Sequence, residues 1–544
     1  MDASMISDLF GEVTPIIPAV IMIVGALLTP ALYYGTKRRD VVTAAAMVVV
    51  IASMAVNAIL LSDDYAGTYS GIFEYNAFSG LMMLLFQIVA SLTLFVSVSS
   101  TETTILHYGA FNSLMIISAV GMMFVAMSTD LVGIFVGVEA VSISSYALVT
   151  MKRADPRAAE AGVKYVIIGG MSTALTIYGI SMIYGALGTL EISELAARLG
   201  SEGYTWTFVI GLITMVAGYG FKIAAVPFHM WAPDVYEGAS TPVSILLAAG
   251  SKKMGLVVFF KVFMVMFVGA KVVSGLDIEA VQYIFAILAA FSMTIGNIVA
   301  IAQSNIKRML AYSSIAQAGY ILIAMAVMTD YALTGAMFHM FTHVFMKGGA
   351  FLIVGALVCV GIGEKITDYN GLAKRAPFLA FAMLVFLFSL AGIPPLAGFT
   401  SKFVLFSGAI FDEGPGGVMT QWIWLAFIAI LNSAISLYYY VRVVKAMFIE
   451  KPAKGAPAGS IRIPRTFMAA IVVCLVMVVV LGIYPDPILG PCKDAADALL
   501  GAHPGGCWRK PLTRPPGPGR IPSCRCSDSG LYAVQPSGSH GDKG

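Results

Sequence analysis

The chain is 544 residues long, 58% hydrophobic and only 12% charged, with a mean hydropathy of +0.86. Soluble domains carry about 25% charged residues, so folding in water is excluded. The formal net charge of +3 is small and sits in connecting segments, which argues against a nucleic-acid partner. Cys359 and Cys474 fall inside apolar runs and four further cysteines follow residue 485, none at metal-site spacing. Residues 1 to 14 hold two Asp, one Glu and no basic residue, which does not fit a cleavable signal peptide.

Crossing a bilayer takes about 20 apolar residues. Runs of that kind lie near 15 to 34, 41 to 62, 77 to 99, 109 to 127, 131 to 151, 163 to 187, 207 to 227, 241 to 268, 278 to 301, 308 to 328, 332 to 362, 377 to 412, 421 to 447 and 465 to 485. They are too long and too uniformly apolar for the alternating strands of a membrane barrel, so an all-α polytopic membrane protein of about 14 transmembrane helices is expected. Basic residues gather in alternate connections: Lys37 to Arg39; Lys152, Arg153 and Arg157; Lys307 and Arg308; Lys365, Lys374 and Arg375; and Arg442 through Arg465. The intervening loops are acidic or neutral, as at Asp63-Asp64, Asp277 to Glu279 and Asp412-Glu413. By the positive-inside rule both termini are expected on the non-cytoplasmic side of the plasma membrane, as an even number of crossings requires.

Titratable residues recur inside these runs, where each costs about 2.5 to 3.5 kcal/mol or more unless paired, hydrated or used. They are Glu139, Lys164, Lys222, Lys252, His343, Lys347 and Lys402. Separate helices that each bury one or two such groups suggest the conduction of protons or ions. Lys253 adjoins Lys252, and neighbouring helical positions lie about 100° apart, so only one of the two is expected to face a common axis. Lys261 is expected to snorkel toward the surface. His229, beyond Pro227, either lines a cytoplasmic half-channel or makes a local hydrogen bond.

An internal repeat runs at a period near 180 residues. Gly169-Gly170 after Lys164 matches Gly348-Gly349 after His343 at an offset of 179, and Lys222 matches Lys402 at 180. Five helices separate the two sets, so the repeats are inverted. Helices 7 and 12 are each interrupted by proline beside a charge, at Pro227 and at Pro394-Pro395. Proline frees backbone carbonyls inside a span, and paired broken helices in corresponding halves point to an ion path.

The stretch from Phe221 to Ser244, FKIAAVPFHMWAPDVYEGASTPVS, resembles the hallmark of the antiporter-like subunits of respiratory complex I, and its Pro-Asp-Val-Tyr form resembles the N type. The likeness continues through Leu131 to Glu139, Ala161 to Tyr165, Ser251-Lys252 and Ala391 to Lys402, covering about residues 10 to 485. His339-Met-Phe-Thr-His343-Val-Phe-Met-Lys347 looks closer to the M or L types. The resemblance implies a proton-translocating subunit of an NADH- or deazaflavin-linked oxidoreductase, working beside other membrane subunits in the lipid bilayer. Its alternatives are a subunit of a multi-subunit cation/proton antiporter or of a membrane-bound hydrogenase. It further implies that Glu139 pairs with Lys222, that Lys252 and Lys402 are the next relay members, and that Lys164, His343 and Lys347 lie between them. No cofactor motif is present in the chain; flavin, iron-sulfur clusters and quinone or methanophenazine are expected in partner subunits.

The organisation expected from these readings is an N-terminal three-helix segment over 1–108 and inverted repeats over 109–268 (helices 4 to 8) and 278–447 (helices 9 to 13). A last helix over 448–485 comes next, then a tail over 486–544. That tail, with runs such as Arg514-Pro-Pro-Gly-Pro-Gly-Arg520, is too poor in apolar residues to bury a core and is expected to be disordered, its four cysteines free to form disulfides.

Overall fold

The computed structural model describes residues 3–102, 107–152, 155–202, 205–270, 278–452 and 461–501. Arg153, Asp277, Lys454 and the tail beyond 501 lie outside the described residues. Thirteen helices among those described are long and apolar enough to cross a membrane. They are α1 (Ile17–Thr36), which continues a short N-terminal helix, α2 (Arg39–Ser62), α3 (Ala77–Ser97), α4 (Tyr108–Met127), α5 (Leu131–Thr150), α6 (Pro156–Leu187) and α7 (Trp206–Ile223). Next come α8 (Thr241–Val268), α9 (Ile278–Ile301), α10 (Ile306–Val327), α11 (Asp330–Cys359), α13 (Ile423–Phe448) and α14 (Arg465–Ile483). The twelfth crossing, α12, is made of two shorter pieces, Pro377–Ala391 and Ala397–Ile410. A two-stranded hairpin, Gly67–Tyr69 with Phe73–Tyr75, closes the loop between α2 and α3.

In the N-terminal half of the chain α4 lies against α5 and α6 against α7; in the C-terminal half α9 lies against α10 and α11 against the second piece of α12. α8 is enclosed on all sides and so has no lipid face, and α10 and α11 are nearly as deep. That is why these three helices can carry polar groups all round. Tight links are set by side-chain caps: Asp130 Oδ1 accepts from the backbone N–H of Val132 and Gly133, both at 2.8 Å, so a link of only three residues separates α4 from α5.

Both broken crossings end in a left-handed residue. α7 stops at Ile223 before Ala224 (φ +54°), and Pro227 lies in the connector that leads to the short helix Trp231–Gly238. The first piece of α12 stops at Ala391 before Gly392 (φ +93°), and Pro394-Pro395 precedes the second piece. In each case a carbonyl at the break accepts a side-chain donor as one of two: Phe221 O takes Trp231 Nε1 at 2.8 Å beside Ala224 N at 2.9 Å, and Leu390 O takes Lys402 Nζ at 2.8 Å beside Gln317 Nε2 at 3.2 Å.

The expectation of disorder from residue 486 is corrected over Asp486–Leu500, which forms a helix, α15. Ile488, Leu489, Cys492, Ala495, Ala496 and Leu499 recur at helical spacing, and the polar composition of the whole tail masks that stripe. α15 packs on α3 and α11, and Cys492 is buried there as a free thiol.

Candidate functional site

A file of buried polar groups runs through the interior from α5 to α12. At its first end Glu139, half-buried on α5, accepts a 2.9 Å hydrogen bond from Thr173 Oγ1 of α6. One turn on, Ser142 accepts from Lys222 Nζ at 2.7 Å. Glu139 and Lys222 therefore face the same small cavity, of about 10 Å³, together with Tyr146, Ser172, Thr173 and Tyr219. Glu139 and Lys222 share this cavity without the direct ion pair expected from the resemblance.

Lys252 Nζ donates to Ser314 Oγ at 2.8 Å, which ties α8 of the first half to α10 of the second, and its ammonium lies 5.6 Å from the centre of the Tyr236 ring. Lys253 is also fully enclosed, so burial does not separate the two neighbours as expected; its Nζ has no protein partner. Neither ring nitrogen of His343 has one either. Tyr219 and Ser251 add unpartnered buried hydroxyls on α7 and α8. Buried polar groups of this kind are ordinarily satisfied by internal water, each molecule making about three bonds.

Farther on, Lys347 Nζ donates to Ser313 Oγ at 2.6 Å and to Leu310 O at 3.1 Å, and Ser313 in turn bonds the Tyr440 hydroxyl. Lys402 ends the file. Its ammonium donates to Leu390 O, to Ala391 O at 3.2 Å and to Ser433 Oγ at 2.9 Å, and lies 4.8 Å from the Tyr320 ring centre. It thus sits at the carboxyl end of a half-helix, where the peptide dipoles favour a cation.

Two placements depart from the sequence reading. Lys164 lies outside the file: its ammonium bonds Glu160 at 2.7 Å and Asp234 at 2.8 Å on a partly exposed surface. α6 begins at Pro156, seven residues before the apolar run, so position 164 is still near the helix entrance. Lys261 does not snorkel; it donates inward to Ala126 O at 2.8 Å and to Ser128 O, capping the carboxyl end of α4. His229 is buried in the connector after α7, with Nδ1 unpartnered.

His339, which sequence reasoning left as part of a motif, joins three helices. Its Nδ1 is 2.9 Å from Ser401 Oγ on α12 and its Nε2 2.9 Å from Gln317 Oε1 on α10. The available signal was its spacing of four from His343, which puts both rings on one side of α11.

One face of the molecule is closed by an ionic layer built from alternate connections. Glu102, between α3 and α4, accepts from Lys152 at 3.1 Å, Lys307 at 3.3 Å and both the N–H and hydroxyl of Thr241, the first residue of α8. Lys307 also binds Glu364 at 2.8 Å, and Arg308 binds Asp234 and Glu237. Burial alone would raise the Glu102 carboxyl, but Lys307 and Lys152 beside it and the Thr241 donors hold it down at about 2.

The fold and its interior file define a class: an all-helical, multi-pass membrane protein of the antiporter-like type. A family model described as NADH:quinone oxidoreductase/Mrp antiporter, TM matches residues 128–436. The F(420)H(2) dehydrogenase subunit N of Methanosarcina mazei is 42% identical over 441 residues, 79% of this chain and 86% of that one. The NADH-quinone oxidoreductase subunit N of Desulforamulus reducens is 39% identical over 430 residues, with the same 79% and 86% coverage. Among solved structures, a chain of respiratory complex I from Thermus thermophilus with bound aureothin is 28% identical with a TM-score of 0.71, covering 87% of this chain and 99% of that one. The Mrp complex from Dietzia sp. DQ12-45-1b shares the fold, with a TM-score of 0.78 at 21% identity over 89% of this chain and 97% of its own. The chain belongs to the subunit N family of NADH-quinone oxidoreductases and F(420)H(2) dehydrogenases, the antiporter-like membrane subunits of complex I.

Proposed function

We propose that this chain carries protons across the membrane within a complex I-type oxidoreductase, along Glu139, Lys222, Lys252, His343, Lys347 and Lys402, driven by electron transfer in partner subunits. The supporting observation is the make-up of the file. Lys222, Lys252, His343, Lys347 and Lys402 are each at most 3% exposed, and the lysines are held by hydroxyl and carbonyl oxygens rather than by carboxylates. A structural ion pair locks its proton in place; an ammonium held by neutral oxygens can lose a proton and be rebuilt without breaking a salt bridge. Glu139 is the file's one carboxylate, close enough to Lys222 for its charge to matter and not locked to it, so a change in field or hydration at Glu139 alters how readily Lys222 releases a proton. Lys164 is left out of the path by its surface ion pairs.

In this reading 1–108 is an N-terminal segment, 109–268 and 278–447 are the two conducting repeats and 448–485 is the last crossing. The ionic layer faces the cytoplasm and both termini lie outside. Flavin, iron-sulfur clusters and quinone or methanophenazine reside in partner subunits; among the described residues no cluster of His, Cys, Asp or Glu could hold a metal. The test is Glu139→Gln in the assembled complex reconstituted into liposomes. Fewer protons should be moved per electron with assembly intact, and an unchanged ratio would make Glu139 a packing residue.

A further inference from the structure

The file stops at Lys402, part-way along a crossing, and none of its own members leads on to the face opposite the ionic layer. Two cavities of the second half bracket such a continuation. One, of about 410 Å³, is bounded by both Lys402 and Ser407 on the second piece of α12, and most of its remaining wall is aromatic or aliphatic. The other, of about 830 Å³, opens where α11 begins, α12 ends and α15 lies across them. Asp330, Tyr331, Asp412, Glu413 and Asp497 line it, with Lys493. Between the two stands a single polar contact: Ser407 Oγ donates to the Tyr331 hydroxyl at 3.3 Å. Ser407 also has Val404 O within reach at 2.9 Å, so its one proton has two acceptors, one inside its own helix and one toward the acidic cleft.

We propose that protons leave Lys402 for the outer face through Ser407 and Tyr331 into the acidic cleft, with the Ser407–Tyr331 hydroxyl contact as the gate between the two cavities. The proposal rests on the proton-path reading above. A proton released by the Lys402 ammonium is taken up at the Ser407 oxygen, bridged across the first cavity by water, as the Ser407 hydroxyl proton passes to the Tyr331 oxygen. The proton that Tyr331 then gives up goes to a carboxylate of the cleft, and from there to solution. Each hydroxyl gains one proton and loses one, Lys402 ends neutral, and the charge has moved out. Clustered carboxylates raise the local proton concentration and so act as collectors at the mouth. Rotation of Ser407 toward Val404 breaks the chain, which keeps outer protons from running back.

The test uses the assembled complex in liposomes with outward proton release as the readout, comparing Tyr331→Phe, Ser407→Ala and Lys402→Met. Tyr331→Phe keeps the ring and removes only the hydroxyl. It should slow the outward step about 100-fold, the low end for a positioned proton-transfer group, and recover in part as the outer pH is raised. Ser407→Ala should behave alike. If both pump as wild type while Lys402→Met is impaired, protons leave by another route and the gate is wrong although the path stands. If all three pump normally, the path itself fails and the exit with it. A loss in Tyr331→Phe that outer pH leaves untouched would mark packing damage and equally overturn the gate.

Discussion

An ammonium buried in a membrane protein is tolerated when the protein replaces its water, and the oxygens that do so here decide what each lysine can do. Lys402 is the clearest case, because it also completes the broken end of α12 by binding Leu390 O and Ala391 O. Lys402→Ala should therefore stall coupled turnover but lower stability by only about 1 kcal/mol, because Gln317 Nε2 still donates to Leu390 O at 3.2 Å and Ser433 Oγ to Ala391 O at 2.8 Å. A thermal-unfolding midpoint unchanged from wild type would show that those two donors suffice. The lysines were legible in the sequence because intramembrane charge is costly enough to need a reason. The hydroxyls that serve them were not. A serine in an apolar helix bonds the carbonyl four residues back whether or not it serves a lysine, as Ser144 does at Ala140 while Ser142, on the same helix, also holds Lys222. His339 was missed for a related reason: the partners that define it, Ser401 and Gln317, lie 62 and 22 residues away.

At the scale of elements, the breaks in α7 and α12 could be located from Pro227 and Pro394-Pro395, since a proline cannot donate to the helix ladder. The side-chain donor at each break could not, because a Trp in one half and a Lys in the other fill the same need. The glycine at the second break is required twice over. Gly392 has φ +93°, and a Cβ placed on it would meet Lys402 Cδ at 3.2 Å. Gly392→Ala should cost about 1 to 3 kcal/mol of backbone strain and displace the lysine, so that melting temperature and pumping fall together. Gly348→Ala on α11, where a Cβ meets nothing within 4 Å, is the control and should leave pumping unchanged and the melting temperature unchanged or slightly raised. Helix starts were less legible than helix cores. Hydropathy placed the sixth span at 163, but α6 begins at Pro156 behind the Asp155 cap, which accepts from Arg157 N at 3.0 Å, and that shift moves Lys164 out of the interior. The same averaging over a long polar tail hid the apolar stripe of α15.

Across the whole molecule, the two halves are fastened on one face by the ionic layer, with the fully buried Lys307 held between Glu102 and Glu364. The folded Glu102 carboxyl lies below its ordinary value of 4.5, at about 2. Its contribution is therefore complete above about pH 4.5 and is lost as the pH falls toward 2, a span worth about 3 kcal/mol. The melting temperature of the purified complex should drop through that acid window, and Glu102→Gln should flatten the drop while lowering the plateau. A pH dependence identical in wild type and variant would remove Glu102 from the account. The interior file has no redox group to drive it, so the chain reconstituted alone should show little sodium/proton exchange; rates comparable with those of a secondary antiporter would favour free-standing exchange over the complex I role. The central claim is that protons run through this file from one half to the other, and Lys252 is the joint, reaching from α8 to Ser314 of α10. The most direct measurement is the number of protons moved per electron by the reconstituted complex carrying Lys252→Met: a lower ratio with intact assembly and electron transfer is the expected result, and a ratio equal to wild type would contradict the account.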